Sequence, residues 1–423
     1  MLPFFLKNYF KKNVYFLNFT VDLLPFRLND PVKSPKSRLE IHQNQMQRNM
    51  RHITTLVVLI LLLCGHKGLL AQKKLKTENI ILITLDGFRW RELFTGADKD
   101  LISEKDFVKD EEALKSLFWH DDPLVRRQKL LPFIWTTLVQ EGQIYGNRQL
   151  NNKVNLHNKH RFSYPGYNEI LTGFTDDRRV DSNDKKDNPN KTVLEFINEQ
   201  KGFRKKVAAF GSWDVFPYIL NKNRSGLLIN AGFDTASTPH LTNHEKFLNK
   251  MQAQVPSPWL NVRLDAFTHY FAMEHLKKAS PRVLYVAYGE TDDFAHDGNY
   301  EAYLKSAHQT DAFIKNLWTW VQHSPKYRNK TTFIITTDHG RGNTKKSWQD
   351  HGSNVGEADE TWFIVAGPDT EALGELKEPA QYHTDQVAQT ITTLLGLKYT
   401  PEKAAGEAIK TALPNLPNKN SAK

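Results

Sequence analysis

Six side chains in this sequence are good ligands for divalent cations, and one hydroxyl could be activated by them. The ligands are Asp86, Asp292, His296, Asp338, His339 and His351; the hydroxyl is Ser163. Asp86 closes the apolar run "NIILITLDG" (Asn79 to Gly87). Asp292 and His296 follow "RVLYVAYGE" (Arg282 to Glu290), and their spacing of four puts both on one face of a helix. Asp338 and His339 close "TTFIITTDHG" (Thr331 to Gly340), and His351 follows in "WQDHGSN". Singly, each has a plain alternative. Asp-Gly after a strand is a common turn, and His351, His383 and His308 would each pass for surface or capping histidines. Together, three carboxylates, three imidazoles and a serine at strand ends make poor structural filler, because unpaired buried charge is costly. Mixed Asp/His ligation suits zinc, with manganese the alternative.

Such residues, far apart in sequence, meet only if the chain positions them. The three runs named above read as buried strands of a parallel sheet. "ETWFIVAGP" (Glu360 to Pro368) and "KKVAAFGS" (Lys205 to Ser212) have the same form. Helical periodicity lies between them, from Tyr303 to Val321 and from a Thr384 cap to Gly396. Alternation of this kind predicts an α/β sandwich around a largely parallel sheet. In open sheets of that class ligands bind beyond the carboxyl ends of the strands, the rim where these residues would gather. Residues 98–160 and 176–260 fit the rhythm poorly and read as insertions over one sheet edge; the tail from 401 reads as frayed.

The chain of 423 residues carries a net charge of +10, unevenly placed. Residues 1–71 hold 10 Lys+Arg against 3 Asp+Glu, leaving a nearly neutral 47 against 44 for the rest. The basic pI is therefore no argument for nucleic-acid binding. Arg48, Arg51 and His52 precede the apolar run Ile53 to Leu63, which ends in "CGHKGLLAQ". That is the pattern of a secretory signal over 50–71, cleaved after Ala71 and too short to span a membrane. It leaves a secreted or periplasmic mature chain with no membrane span. Residues 1–49 then read as an over-extended start or an extension, with Met46 or Met50 as the true beginning. The single cysteine, Cys64, lies in the signal, so the mature chain has neither disulfides nor thiol catalysis. Leu63 before it makes a poor lipid-attachment signal.

At this point the motifs resemble a family. "LITLDGFRW" is similar to the first metal motif of the nucleotide pyrophosphatase/phosphodiesterases of the alkaline phosphatase superfamily. "ETDDFAH" resembles that superfamily's Asp-x-x-x-His motif, and "TTDHGRG" its Asp-His-Gly motif. "FSYPGYNEILTG" is similar to the nucleophile segment, and "HTDQVAQTITTLLG" to the final helix. The motifs span roughly residues 79–396 in the family's order. The resemblance implies an alkaline phosphatase-like three-layer α/β/α fold over 72–400 and two divalent ions. One ion would be held by Asp292, His296 and His351, with His383 competing for the last place. The other would be held by Asp86, Asp338 and His339, with Ser163 as nucleophile and ligand. A phosphate ester, monoester or diester, would be cleaved through a phospho-serine. A phosphomutase, a sulfatase-like hydrolase or a non-catalytic relative are the alternatives. The serine segment echoes the sulfatase pattern, but Tyr167 stands where that pattern has arginine. For phosphoryl contacts the residues on offer are Asn168 and Arg89, then Arg341 and Lys345; Trp213, Phe216 and Tyr218 could stack on an aromatic group.

Overall fold

The computed structural model describes residues 40, 42–55 and 75–414. The chain divides into two compact units, Met1–Gln72 and Lys73–Lys423. In the first, residues 42–55 are helical. Cys64, the cleavage position after Ala71 and most of the apolar run before them lie outside the described residues. Among those described, no helix is long and apolar enough to cross a membrane.

The second unit is built on two sheets. Its strands in chain order are β1 (Asn79–Leu85), β2 (Gly142–Tyr145), β3 (Asn152–Asn155), β4 (Val207–Gly211), β5 (Leu228–Ala231), β6 (Val283–Tyr288), β7 (Thr331–Thr336), β8 (Glu360–Thr361), β9 (Phe363–Ala366), β10 (Gly374–Glu375) and β11 (Ala380–His383). The large sheet runs β10-β2-β9-β7-β1-β6-β4-β5, and a small one runs β11-β3-β8. Strand β1 is central and pairs in parallel with β6 and β7. Their register sets Leu85 beside Tyr288 and Thr84 beside Thr336, so all three strands end on one rim. Within the large sheet, among the described residues, only β9 runs against its neighbours; in the small sheet β8 runs against β3.

Strand β1 is apolar on both faces because both are covered. Ile81, Ile83 and Leu85 join one core with the helices Asp265–Ala279 and Tyr300–His323. Ile80 and Leu82 join the other, with the helices Ser163–Thr172, Val193–Glu199 and Gln386–Leu394. This is the expected three-layer α/β/α arrangement. Burying these five side chains gives on the order of 10 kcal/mol before conformational entropy. Burial on that scale lets the strand end in a carboxylate almost without solvent contact.

The stretches expected to lie over one edge behave differently. Residues 98–160 supply β2, inserted between β10 and β9, and 176–260 supply β4 and β5 of the parallel sheet. The tail does not fray at 401: Ile409 and Ala412 are fully buried. Asp385, not Thr384, stands at the N-cap of the final helix, because Thr384 Oγ donates instead to Glu169 Oε1 at 2.8 Å.

Candidate active site

Each candidate side chain leaves the sheet at the shared rim. Asp86 follows β1 directly. The turn after it needs a glycine: Gly87 has φ +57°, and a Cβ there would lie 2.6 Å from Asp292 Oδ1 and 3.1 Å from His339 Cε1. Strand β6 runs into the helix Glu290–His296, which places Asp292 and His296 one turn apart. The free N–H groups at the start of that helix are met by buried Asp265, whose carboxylate accepts from Gly289 N at 2.8 Å and Glu290 N at 3.1 Å. Asp338 and His339 follow β7 and are fully buried.

Ser163 arrives from the other side, as the first residue of the helix Ser163–Thr172. Pro165 sits in its first turn, where a missing N–H costs nothing. Gly166 lets the helix lie on the backbone of Asp338, since a Cβ there would run into the Asp338 carbonyl. The helix stops at Gly173, in the left-handed conformation at φ +79°.

Two groups of ligand atoms result, each within 4.8 Å: Asp86, Asp338 and His339; and Asp292, His296 and His351. They are neighbours, with His339 Nε2 3.3 Å from Asp86 Oδ1 and 3.6 Å from Asp292 Oδ1. Ser163 Oγ lies 3.4 Å from His339 Nε2. Tyr167, at the position where the sulfatase pattern has arginine, donates to Asp86 Oδ2 at 2.8 Å.

The donor set fits cations. Asp86 and Asp338 each have one oxygen tied, to Tyr167 and to Gly87 N at 3.1 Å. Their other oxygens, Asp86 Oδ1 and Asp338 Oδ2, are buried with no hydrogen-bond partner. His296 Nε2 and His351 Nε2 approach to 3.0 Å, and His296 Nε2 is 3.2 Å from Asp292 Oδ2. Imidazole nitrogens and carboxylate oxygens converging this way suit Zn2+ or a similar ion.

Charge imbalance says the same. Burial and the neighbouring Asp292 raise the pKa of Asp86; burial and Asp86 raise that of Asp338. His339 is pushed up to about 9, because Asp338 and the other carboxylates outweigh the burial that opposes its charge. For Asp292 burial again opposes the charge, but the Arg341 guanidinium and His296 hold its carboxyl well below the ordinary range. His351 is held neutral by burial and by the nearby His339. Protein cations alone leave this cluster short of positive charge.

The residues enclose a cavity of about 200 Å3. Asp86, Ser163, Asp292, Asp293, His296 and His351 line it together with Gly289, Trp213, Val262, Asn183 and Asn261. No lysine or arginine lines it among the described residues. Asn183 was not legible as a site residue in its polar loop. Its side-chain carbonyl accepts from Tyr164 N at 3.0 Å, which leaves its NH2 group to donate into the cavity.

Other sequence candidates lie elsewhere. Asn168 falls on the far side of its helix, where its Oδ1 accepts from Asn188 and Asn190 at 3.2 and 3.1 Å and its Nδ2 donates to Phe174 O at 3.3 Å. Arg89 is fully buried, paired with Glu92 and donating to Gly342 O at 2.9 Å, so neither residue is placed to meet substrate. Lys345 pairs with Glu104 at the surface, and Arg341 with Asp292. His383 belongs to neither ligand group; it stacks, with ring centroids 3.6 Å apart, on His157, which forms a separate cluster with Glu169 and Asp385. Of the three aromatics, only Trp213 lines the cavity.

Comparison with known proteins bears on the fold. Residues 236–399 match the model of the Metalloenzyme superfamily, a segment that contains Asp292, His296, Asp338, His339 and His351. No curated protein matches the chain in sequence. Among solved structures, the alkaline phosphatase PafA superposes with a TM-score of 0.51 at 12% identity, over 81% of this chain and 100% of that one. A 2-O GAG sulfatase superposes with a TM-score of 0.50 at 13% identity, over 81% and 75%. The resemblance read from the motifs thus holds at the level of fold: residues 236–399 match the Metalloenzyme superfamily model, and the chain shares its α/β/α fold with the alkaline phosphatase PafA.

Proposed function

We propose that the chain is an exported hydrolase of phosphate diesters that works with two divalent ions, zinc before manganese, and with Ser163 as nucleophile. The observation that carries the reading is the composition of the cavity. Ser163 lines it among two groups of candidate cation ligands, and among the described residues no lysine or arginine lines it. A phosphate monoester brings two negative charges, and its hydrolysis is served by fixed cationic side chains. A diester brings one charge and a second organic group, which Trp213 and Val262 can meet by apolar contact.

Bound at the two ligand groups, a pair of cations would neutralise the phosphoryl charge and favour the ionised serine. The chain's own residues do the rest. Ser163 Oγ attacks phosphorus, the ester bond to the first alcohol breaks, the serine proton passes by way of solvent to the departing alcohol oxygen, and a phospho-serine diester forms. Ser163 N–H, at a helix N-terminus, and the Asn183 NH2 group would donate to phosphoryl oxygens. Asp338 and His339, locked by burial, fix the position from which Ser163 attacks. Water then cleaves the serine–phosphorus bond, returning the hydroxyl and releasing the monoester of the second alcohol. Residues 50–71 would direct export.

A formylglycine sulfatase is less well served, since Tyr167, which holds Asp86, stands where the sulfatase pattern for that conversion has arginine. The test is parallel turnover of bis-nitrophenyl phosphate, nitrophenyl phosphate and nitrophenyl sulfate, with and without chelator. Chelator-sensitive turnover with the diester fastest is expected; a faster monoester or sulfate would replace this reading.

A further inference from the structure

Arg341 is unusual among the residues around the cavity. It follows His339 by two positions, is almost fully buried, and its guanidinium neither lines the cavity nor reaches Ser163. It instead spans two pieces of one ligand group. One nitrogen, Nη2, donates to Asp292 Oδ1 and to Asp292 O, the latter at 3.1 Å. The other, Nη1, donates to Gln349 O, two residues before His351. A single planar fork therefore holds a carboxylate on the helix Glu290–His296 and the start of the loop that delivers His351.

The rest of that group follows from those contacts. With Oδ1 held by Arg341, Asp292 Oδ2 is the oxygen turned toward His296 Nε2, at 3.2 Å. His351 Nε2 is 3.0 Å from His296 Nε2 and 3.8 Å from Asp292 Oδ1, and each of the three side chains brings a ligand atom within 4.8 Å of the others. His351 has no polar anchor of its own: its Nδ1 is buried and without a partner. Its ring stacks against His339, with centroids 4.0 Å apart, and its backbone is held by Arg341 at Gln349 O, by Gly342 N at Asp350 O (3.1 Å) and through Gly352 N, which donates to Arg161 O at 2.9 Å. The other group is held differently. Tyr167 fixes Asp86 and Gly87 N fixes Asp338, and neither contact involves Arg341.

We propose that Arg341 is the positioning residue for one of two metal ions only, that of Asp292, His296 and His351. It turns Asp292 so that a single oxygen is offered to the ion and holds the His351 loop at ligating distance. Lysine could satisfy one of these acceptors but not both, because it lacks the rigid fork. Loss of the groups that orient ligands commonly lowers metal affinity by about 10–100-fold.

The proposal rests on the two-ion reading above, and its test does not depend on the substrate. Zinc content and affinity would be measured on the full chain by chelator competition, for the wild type, Arg341→Lys, Arg341→Met and His296→Ala. Two ions are expected in the wild type. Both Arg341 variants should keep one ion at wild-type affinity and bind the second about 10–100-fold more weakly, as His296→Ala should. Arg341→Lys retains the charge and guards against a Met variant that fails to fold. Two ions of unchanged affinity in Arg341→Lys and in folded Arg341→Met would overturn the proposal. So would equal loss of both ions in a variant with wild-type circular dichroism, which would mark a general structural role. Wild-type protein that takes up no metal would overturn the two-ion reading and this proposal with it.

Discussion

Gly166 gives the most telling single perturbation, because it separates stability from geometry. It lies inside the helix that starts at Ser163, where alanine would ordinarily gain about 1 kcal/mol of helix propensity. Its missing side chain is what lets the helix touch strand β7's exit. A Cβ would collide with the Asp338 carbonyl oxygen and lie 2.9 Å from its carbon, closer than real Cβ contacts. Relief requires the helix to withdraw by roughly 0.5–1 Å, at an overpacking cost of about 1–3 kcal/mol. The net destabilisation of Gly166→Ala is therefore about 0–2 kcal/mol, which leaves a chain of ordinary stability almost wholly folded. Activity should fare worse. The same shift carries Ser163 from His339 and Tyr167 from Asp86, and misplacement of about 1 Å costs up to ~100-fold. Expected for Gly166→Ala is a fall of about 10–100-fold in kcat/KM on bis-nitrophenyl phosphate, with a Tm only a few degrees lower. Gly173→Ala is the control. It forces a left-handed residue at the far end of the same helix, at a cost of about 1–2 kcal/mol, and should lose stability while keeping kcat/KM. Wild-type kcat/KM in Gly166→Ala would refute the claim that this close contact sets the position of Ser163.

Other consequences are open to direct measurement. Arg89→Met leaves Glu92 as an unpaired buried charge and should lower stability by about 3–5 kcal/mol, with KM of the folded enzyme unchanged; a raised KM at wild-type stability would return Arg89 to the substrate site. His351→Ala should lose one bound ion and His383→Ala none, by elemental analysis; the reverse result would transfer the ligand role to His383. His269 is buried, its Nδ1 2.9 Å from the Tyr288 hydroxyl, and burial pushes its pKa down to about 4. Its folded value lies below the unfolded one near 6.5, so stability is full above pH 6.5 and falls as pH drops toward 4, by up to about 3 kcal/mol. His269→Phe should flatten that part of the denaturant-midpoint profile; an unchanged acid limb would assign it to other groups.

How far the sequence reached follows physical lines. The five long apolar runs were legible because strands buried on both faces need no alternation, and each became a strand of the large sheet. Asp86, Asp292, His296, Asp338 and His339 drew notice because they stand at or just after the ends of such runs; His351, in a loop beyond Gly340, was given its place in a ligand group only by the resemblance, with His383 competing. Strands β2 and β5 were not, being four residues each and held by neighbours rather than by their own pattern. Asn168 was misread through helix phase: five residues beyond Ser163 it faces the opposite side, among Asn188 and Asn190. Arg89 had a local signal that went unused, the acidic Glu92 three residues on, which claims its guanidinium. Asn183 and Asp265 carried no local signal, since only the folded chain brings them to Tyr164 and to the start of the helix Glu290–His296.

The central claim is that Ser163 attacks phosphorus, and it is tested by trapping the covalent intermediate. Enzyme turning over bis-nitrophenyl phosphate would be quenched in acid, digested and mapped by mass spectrometry. A nitrophenyl phosphate adduct on Ser163 is predicted, absent from Ser163→Ala, which should retain its bound metal and lose turnover. An adduct on another residue, or undiminished turnover by Ser163→Ala, would contradict the account.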